Sequence, residues 1–531
     1  MPVQPDSDQP SGGRPSQAQP GPSTPASPAP ACPVAASPSS ETPTPETSSS
    51  ETPTSETPTP DAPTSAAPTP ETGTPETGTP ETGTPEADTP GPTAETPRPP
   101  LFTWEFAADP YPAYAWLREH APVHRTTLPS GVDAWLVTRY ADARQALADS
   151  RLSKNPAHHS GQAHRTGRVG IPGERQADLM THLLNIDPPD HTRLRRLVSK
   201  AFTPRRIAEF EPRVQQLTDR LIDGFAQRGS ADLIHEFAFP LPIYAICDLL
   251  GVPPEDQDDF RDWAGMMIRH GGGPRGGVAR AVKRMRAYLA DLIHRKRADL
   301  GDDLISGLIR ASDHGEHLTE NEAAAMCFVL LFAGFETTIN LIGNGMYALF
   351  RNPDQRALLQ GSIARGEAGL LDTGIEELLR YDGPVELATW RFATSPLTIG
   401  GVEIPVGDPV LVVLAAADRD PARFADENTL DLARADNPHL GFGHGIHYCI
   451  GAPLARLEGR AALSTLFTRL PDLRLAESPE NLRWRGGLIM RGLRELPVEF
   501  APEIPVGTSA DVQSEGPPED PSGDPSETST R

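Results

Sequence analysis

Phe442-Gly443-His444-Gly445-Ile446-His447-Tyr448-Cys449-Ile450-Gly451 is the stretch whose reading decides the fold. It sets one thiol among glycines and runs straight into a helix-like segment, Ala452 to Leu470. A cysteine at a helix N-terminus is biased toward thiolate, because the helix dipole and the free N–H groups favour negative charge. Gly443, Gly445 and Gly451 carry no Cβ, so the chain can turn tightly and a flat ligand can approach closely. No second Cys or His stands at zinc spacing, which excludes a structural zinc site. A lone thiolate can instead serve as the axial ligand of haem iron and push electron density onto it to favour O–O cleavage. The competing reading is a free cysteine that acts as a small buried hydrophobe. The surrounding glycines, phenylalanine and histidines argue against it.

Working outward, the longest helical pattern begins at Thr319. Thr319 and Glu322 have capping-box spacing, and Leu318 and Ala323 are placed as a hydrophobic staple. The pattern runs to about Phe350 and stops before Asn352-Pro353. Some thirty residues of helix span roughly 45 Å, enough to cross a domain. In its middle lies Ala333-Gly334-Phe335-Glu336-Thr337-Thr338, where a glycine and an acid–alcohol pair interrupt an apolar stripe. That pattern suggests an opening for a small ligand and water. The alternative is a threonine that bonds back to its own helix, with Glu336 on a solvated face. Glu377-Leu378-Leu379-Arg380 sets opposite charges at i and i+3, a pairing worth only ~0.2–0.5 kcal/mol when exposed. Asp187-Pro188-Pro189-Asp190-His191-Thr192-Arg193-Leu194-Arg195 predicts a helix begun by the prolines. His191 and Arg195 fall on one face of it, with Arg193 and Arg196 on solvated sides. Strand-like segments are few: Ala134 to Val137, and Leu397 to Leu414 with turns at Gly400-Gly401 and Pro405-Val406-Gly407.

The thiol loop closely resembles the haem-binding loop of cytochrome P-450 enzymes, Phe-x-x-Gly-x-x-x-Cys-x-Gly. Ala333 to Thr337 resembles that family's Ala-Gly-x-(Asp/Glu)-Thr oxygen groove, with Phe335 where many relatives have His. The resemblance implies a mainly α fold with a small β portion: the cytochrome P-450 fold, one haem-centred domain with a long central helix. It implies haem b held by Cys449, with His191, Arg195, Arg391 and His447 binding its propionates, a task suited to arginine's fixed donor geometry. Thr337 would hydrogen-bond dioxygen and Glu336 would relay protons. Glu377, Arg380 and Arg434 would form a buried structural network. Asp418 stands where relatives commonly show Asn. The landmarks follow the family's order across residues 101–501, and the likeness is to soluble, actinomycete-type bacterial enzymes.

The implied activity is a haem-thiolate monooxygenase inserting one atom of dioxygen into a small organic substrate, by hydroxylation or epoxidation, in secondary metabolism. A ferredoxin and a ferredoxin reductase would supply the electrons. Haem-thiolate chemistry without dioxygen (peroxide-driven oxidation, isomerisation or dehydration) is the alternative, and a non-catalytic haem module is a third reading. Both make less use of the acid–alcohol pair. The family places pocket walls at Leu152 to Leu184, Phe260 to Gly277, Val385 to Ala388 and Leu488 to Met490. Asp187 to Arg206 carries six basic residues against two acids, a local charge of +4, which would steer an acidic ferredoxin.

Composition divides the chain. Residues 1–100 hold 27 of the 59 prolines and repeat Glu-Thr-Gly-Thr-Pro three times from Glu71. Such a segment buries too little apolar surface to offset its ordering entropy. Residues 1–100 and the acidic 502–531 are therefore expected to be disordered. The first segment has 13 acidic and 2 basic residues and the second 7 and 1, so of the net −24 only −7 falls on residues 101–501. A mildly acidic core argues against a nucleic-acid partner. Cys32, Cys247 and Cys327 have no disulfide or metal spacing, which points to a reducing cytoplasm. The N-terminus has no signal-peptide pattern. Ala323 to Gly334 is too short an apolar run to span a bilayer, so no membrane partner is expected.

Overall fold

The computed structural model describes residues 99–158, 181–268, 277–313 and 318–503. The first extension, apart from Pro99 and Pro100, lies outside the described residues, as do residues 504–531. The described residues continue to Glu503, two past the expected boundary at 501. Glu503 closes a two-pronged ion pair on Arg469 at 2.6 and 2.9 Å, and its N–H donates to Ala226 O at 2.9 Å.

The long helix spans Glu320–Arg351. Its capping box forms as the spacing requires: the Thr319 side chain accepts from the Glu322 N–H, and Glu322 accepts from the Thr319 N–H. Asn352 ends it, and Pro353 opens the next helix, Pro353–Ala364. By length and composition it is the one described helix that could cross a membrane. Here it is a core helix: Met326, Phe328, Phe335, Ile339, Ile342, Met346 and Leu349 are buried in the largest apolar cluster. Helices Pro240–Leu250, Gly277–Ala298, Gly369–Asp382 and Ala452–Arg469 pack against it. Burial of this stripe, at ~25 cal/mol per Å² of apolar surface, makes the helix the axis of a mainly α fold.

The β portion is small, as expected, but it contains more strands than the sequence suggests. A five-stranded sheet runs in the order Val123–Thr127, Asp133–Val137, Pro409–Val412, Arg391–Ala393, Leu152–Ser153. Only Asp133–Val137 with Pro409–Val412 is a parallel pair. The strands Arg391–Ala393 and Leu152–Ser153 are too short for alternation to register. Their pairing, Ser153 opposite Phe392, brings Arg391 beside Lys154.

The weak Glu377–Arg380 motif becomes strong in its setting. Both side chains are fully buried, and Arg380 grips Glu377 through two bonds of 2.8 Å. Arg434 Nε adds a third at 3.0 Å, and Asn437 and the Asp431 N–H also donate to Glu377. Breaking a buried pair of this kind costs about 3–5 kcal/mol. The network braces the segment that leads directly into the thiol loop.

Candidate active site

The thiol loop turns on Gly443 and Gly445, whose φ angles of 74° and 75° favour glycine. The Cys449 N–H donates to Phe442 O at 2.9 Å, closing the loop just before the helix Ala452–Arg469. Phe442 lies under the Arg456 guanidinium, 4.5 Å from ring centroid to Cζ. Arg456 is fixed by Glu376 at 2.6 and 2.7 Å, and His439 is fixed by the same carboxylate at 3.0 Å.

The Cys449 sulfur was expected to be biased toward thiolate. In the fold, burial pushes the thiol up, and the Gly451 and Ala452 N–H groups with Arg195 offset this only in part. Desolvation of a thiolate outweighs the helix terminus until a cation lies against the sulfur. Cys449 nevertheless carries accessible surface, as do Ile446 and Tyr448. Accessible surface combined with strong desolvation describes an atom on the wall of an interior void.

A second wall comes from the long helix. Ala333 is accessible in the middle of a buried run, and Thr337, one turn on, is half-buried. Thr337 Oγ1 donates to Ala333 O at 2.8 Å. The threonine therefore bonds back to its own helix, and its oxygen keeps acceptor capacity. Glu336 departs from the solvated-face alternative: it is 6% exposed.

Four of the sequence-derived residues converge on a third wall. His191 and His447 meet with ring centroids 4.2 Å apart. Burial drives His447 down to about 2, aided by the charges of Lys154, His191, Arg391 and Arg195. His191 is lowered by burial and then by Arg195, and its buried Nε2 has no partner. Burial lowers Arg391 to about 10, with Asp187 opposing. Lys154, Arg195 and Arg391 are thus collected around the unpartnered Nε2 of His191, a setting that fits a buried dianion such as the propionate edge of a haem.

Two residues escaped the sequence reading. Lys154, 3% exposed, belongs to the cationic group and donates to Trp390 O at 2.6 Å. Only the pairing of two very short strands puts it there. Glu458, 1% exposed, lies on the helix after Cys449; burial pushes its carboxyl up to about 8, with Thr338 opposing. An acid between Leu457 and Ala461 on an apolar helix face was the available signal. Of the expected pocket walls, Val385 and Met490 are bridged; residues 159–180 and 269–276 lie outside the described residues.

This fold, with its thiol loop and long helix, matches a haem-thiolate oxygenase, and comparison with known proteins shows the family. The cytochrome P450 family model matches residues 274–471. Cytochrome P450 107B1 of Saccharopolyspora erythraea is 47% identical over 411 residues, 76% of this chain and 98% of that protein. Cytochrome P450 monooxygenase PikC of Streptomyces venezuelae is 47% identical over 399 residues, 75% and 92% of the two chains. Among solved structures, the bacillaene polyketide synthase cytochrome P450 PksS of Bacillus subtilis 168 superposes with a TM-score of 0.69 at 37% identity, covering 75% of this chain and 98% of that one. The chain belongs to the cytochrome P450 family. It is an oxidoreductase of the monooxygenase class, acting on a small organic substrate with dioxygen.

Removing one cation from the third wall tests the fit. Arg391→Ala is expected to speed haem transfer to excess apomyoglobin about tenfold or more, the loss of one charge-assisted bond of ~1.5–3 kcal/mol. A transfer rate equal to that of the parent protein would remove Arg391 from the haem site.

Proposed function

We propose that the enzyme binds haem b with Cys449 as the iron ligand, and that His191, Arg195, Arg391 and His447 hold its propionates. When bound, the haem supplies the iron at which dioxygen is reduced and one oxygen atom passes to the substrate. The net reaction consumes substrate, dioxygen, two electrons and two protons, and yields the oxygenated product and one water. The observation that carries this reading is the buried cationic group with the orphaned Nε2 of His191, beside the accessible thiol of Cys449 on which Arg195 acts.

The residues divide the remaining work. Gly443 and Gly445 let the loop turn at positive φ, and a Cβ on Gly445 would lie 3.2 Å from Leu147 O. The neutral His447 donates a hydrogen bond without adding another buried charge. Thr337 accepts a hydrogen bond on the oxygen side, its own proton being held by Ala333 O. Glu336, buried one residue away, takes up protons from water and hands them on, the task of a general acid. The intact acid–alcohol pair favours dioxygen chemistry over peroxide-driven or isomerase activity. A polyketide-type secondary metabolite is the substrate class favoured by the likeness to PksS.

A ferredoxin with its reductase is the proposed donor, in the cytoplasm. Arg195 acts electrostatically on the Cys449 thiol, so the helix Asp190–Ala201 lies on the thiol side. Its solvent face differs from the sequence expectation: Arg193 is half-buried and bonded to Glu322, the capping residue of the long helix. Arg196 and Lys200 are the exposed basic residues of the face.

Turnover of the full chain with ferredoxin, reductase and reduced nicotinamide, compared with peroxide alone, tests the function. Product from peroxide only would contradict it. In Thr337→Ala, haem content and substrate binding are expected to hold while product per reduced nicotinamide falls severalfold; an unchanged ratio would remove Thr337 from oxygen activation. The double variant Arg196→Glu/Lys200→Glu is expected to slow first-electron transfer about tenfold at low salt, with the deficit shrinking as salt rises. Rates indifferent to both reversal and salt would place ferredoxin docking elsewhere.

A further inference from the structure

The long helix carries a polar stripe as well as its acid–alcohol pair. Glu336, Asn340 and Asn344 follow one another at i, i+4 and i+8, on one face, and all are buried. That face meets a C-terminal hairpin closed by Arg485 N→Gly492 O and Arg494 N→Arg483 O, both 2.8 Å. Asn344 Nδ2 donates to Arg491 O at 3.1 Å. Arg485 Nη2 donates to Asn340 Oδ1 at 2.7 Å, and its Nε donates to Leu493 O at 2.9 Å. The hairpin can come this close because residue 492 is glycine: a Cβ there would lie 2.0 Å from Asn340 Oδ1. Burial lowers the Arg485 pKa, and the charge that opposes this is Glu336.

Behind the hairpin lies a cleft of about 1000 Å³, whose walls include Arg485, Ile339, Tyr244 and Gly486. Arg220, Arg483 and Arg494 on its lining are exposed, so the cleft is open to solvent. Arg485 is therefore the side chain that reaches the open cleft on one side and the field of the buried Glu336 on the other. Two of its N–H donors are committed to Asn340 and Leu493, and the rest of the planar fork can order water.

We propose that this cleft is the proton entrance of the enzyme and that Arg485 is the positioning residue at its inner end, orienting Glu336 toward water that enters there. The inference rests on the reading of Glu336 as the proton-relaying acid. Each turnover draws two protons from solvent. A buried carboxylate that gives up a proton must regain one from water before it acts again. The route runs from the cleft past Arg485 to Glu336, and neither Ala333, Thr337 nor Cys449 is among the residues that line that cleft. Proton supply and substrate would thus use different doors.

The test uses the full-chain holoenzyme with Arg485→Gln, Arg485→Ala, Arg485→Lys and Glu336→Gln. Arg485→Gln and Arg485→Ala are expected to keep haem content, melting temperature, substrate affinity and KM. Their kcat is expected to fall about tenfold, with a clearly larger solvent deuterium isotope effect. Arg485→Lys should recover much of the loss, and added guanidinium ion should restore Arg485→Ala by entering through the cleft while leaving Glu336→Gln unchanged. If Glu336→Gln is impaired and Arg485→Ala matches the parent in kcat and isotope effect, the cleft is not the entrance. A loss in Arg485→Ala that tracks lost haem or substrate affinity, with no change in isotope effect, would reduce Arg485 to a structural brace and overturn the proposal. If Glu336→Gln itself turns over like the parent, the reading of Glu336 fails, whatever Arg485 does.

Discussion

Positive charge gathered in the interior is the constraint on which the rest of this structure depends. Lys154 and Arg391 are both nearly inaccessible, and His191, His447 and Arg195 crowd the same space. Asp187 is the acid that acts on Arg391 and His191 there. Burying a charge costs several kcal/mol unless an opposite charge meets it. The response of the chain is visible in His447, which burial and its neighbours hold neutral. What remains calls for an anion, and a dianionic, planar cofactor carrying a cation at its centre would answer both needs: its carboxylates would be held by the arginines, and Cys449 would supply the sulfur for its iron.

The elements that deliver these groups come from distant parts of the chain. Helix Asp190–Ala201 brings His191 and Arg195, a three-residue strand brings Arg391, and the glycine loop brings His447 and Cys449. The Glu377–Arg380–Arg434 network holds the approach to that loop, and the long helix contributes Ala333, Glu336 and Thr337. The proposed function draws on both sets of groups: an electropositive cluster with the thiol, and an alcohol with a buried acid.

Much of this was legible in the sequence where the signal is local. Thr319 and Glu322 announce a helix start through backbone capping, and the helix they predict forms with the expected ends. The glycine loop, the acid–alcohol pair and the charged helix after Pro188-Pro189 are short, contiguous patterns. Legibility failed where long-range pairing or burial decides. Arg391–Ala393 and Leu152–Ser153 are too short to alternate, so the strand pair that positions Lys154 left no trace. Arg193 read as a solvated charge because its partner, Glu322, lies more than a hundred residues away. Cys449 read as a ready thiolate because helix-terminus chemistry is local, whereas the desolvation that opposes it comes from the whole fold. The Arg485–Asn340 contact depends on Gly492 lacking a side chain, a condition that no single motif records.

The central claim is that an iron porphyrin sits between the interior cations and Cys449, bound to the protein through that sulfur. The most direct measurement is the absorption spectrum of the reduced carbon monoxide complex of the parent protein beside Cys449→Ser. The account predicts a thiolate-type Soret band, strongly shifted to long wavelength, in the parent, and its loss in the variant, where a hydroxyl replaces the sulfur. A thiolate-type band that persists in Cys449→Ser, or that is absent from the haem-loaded parent protein, would contradict it.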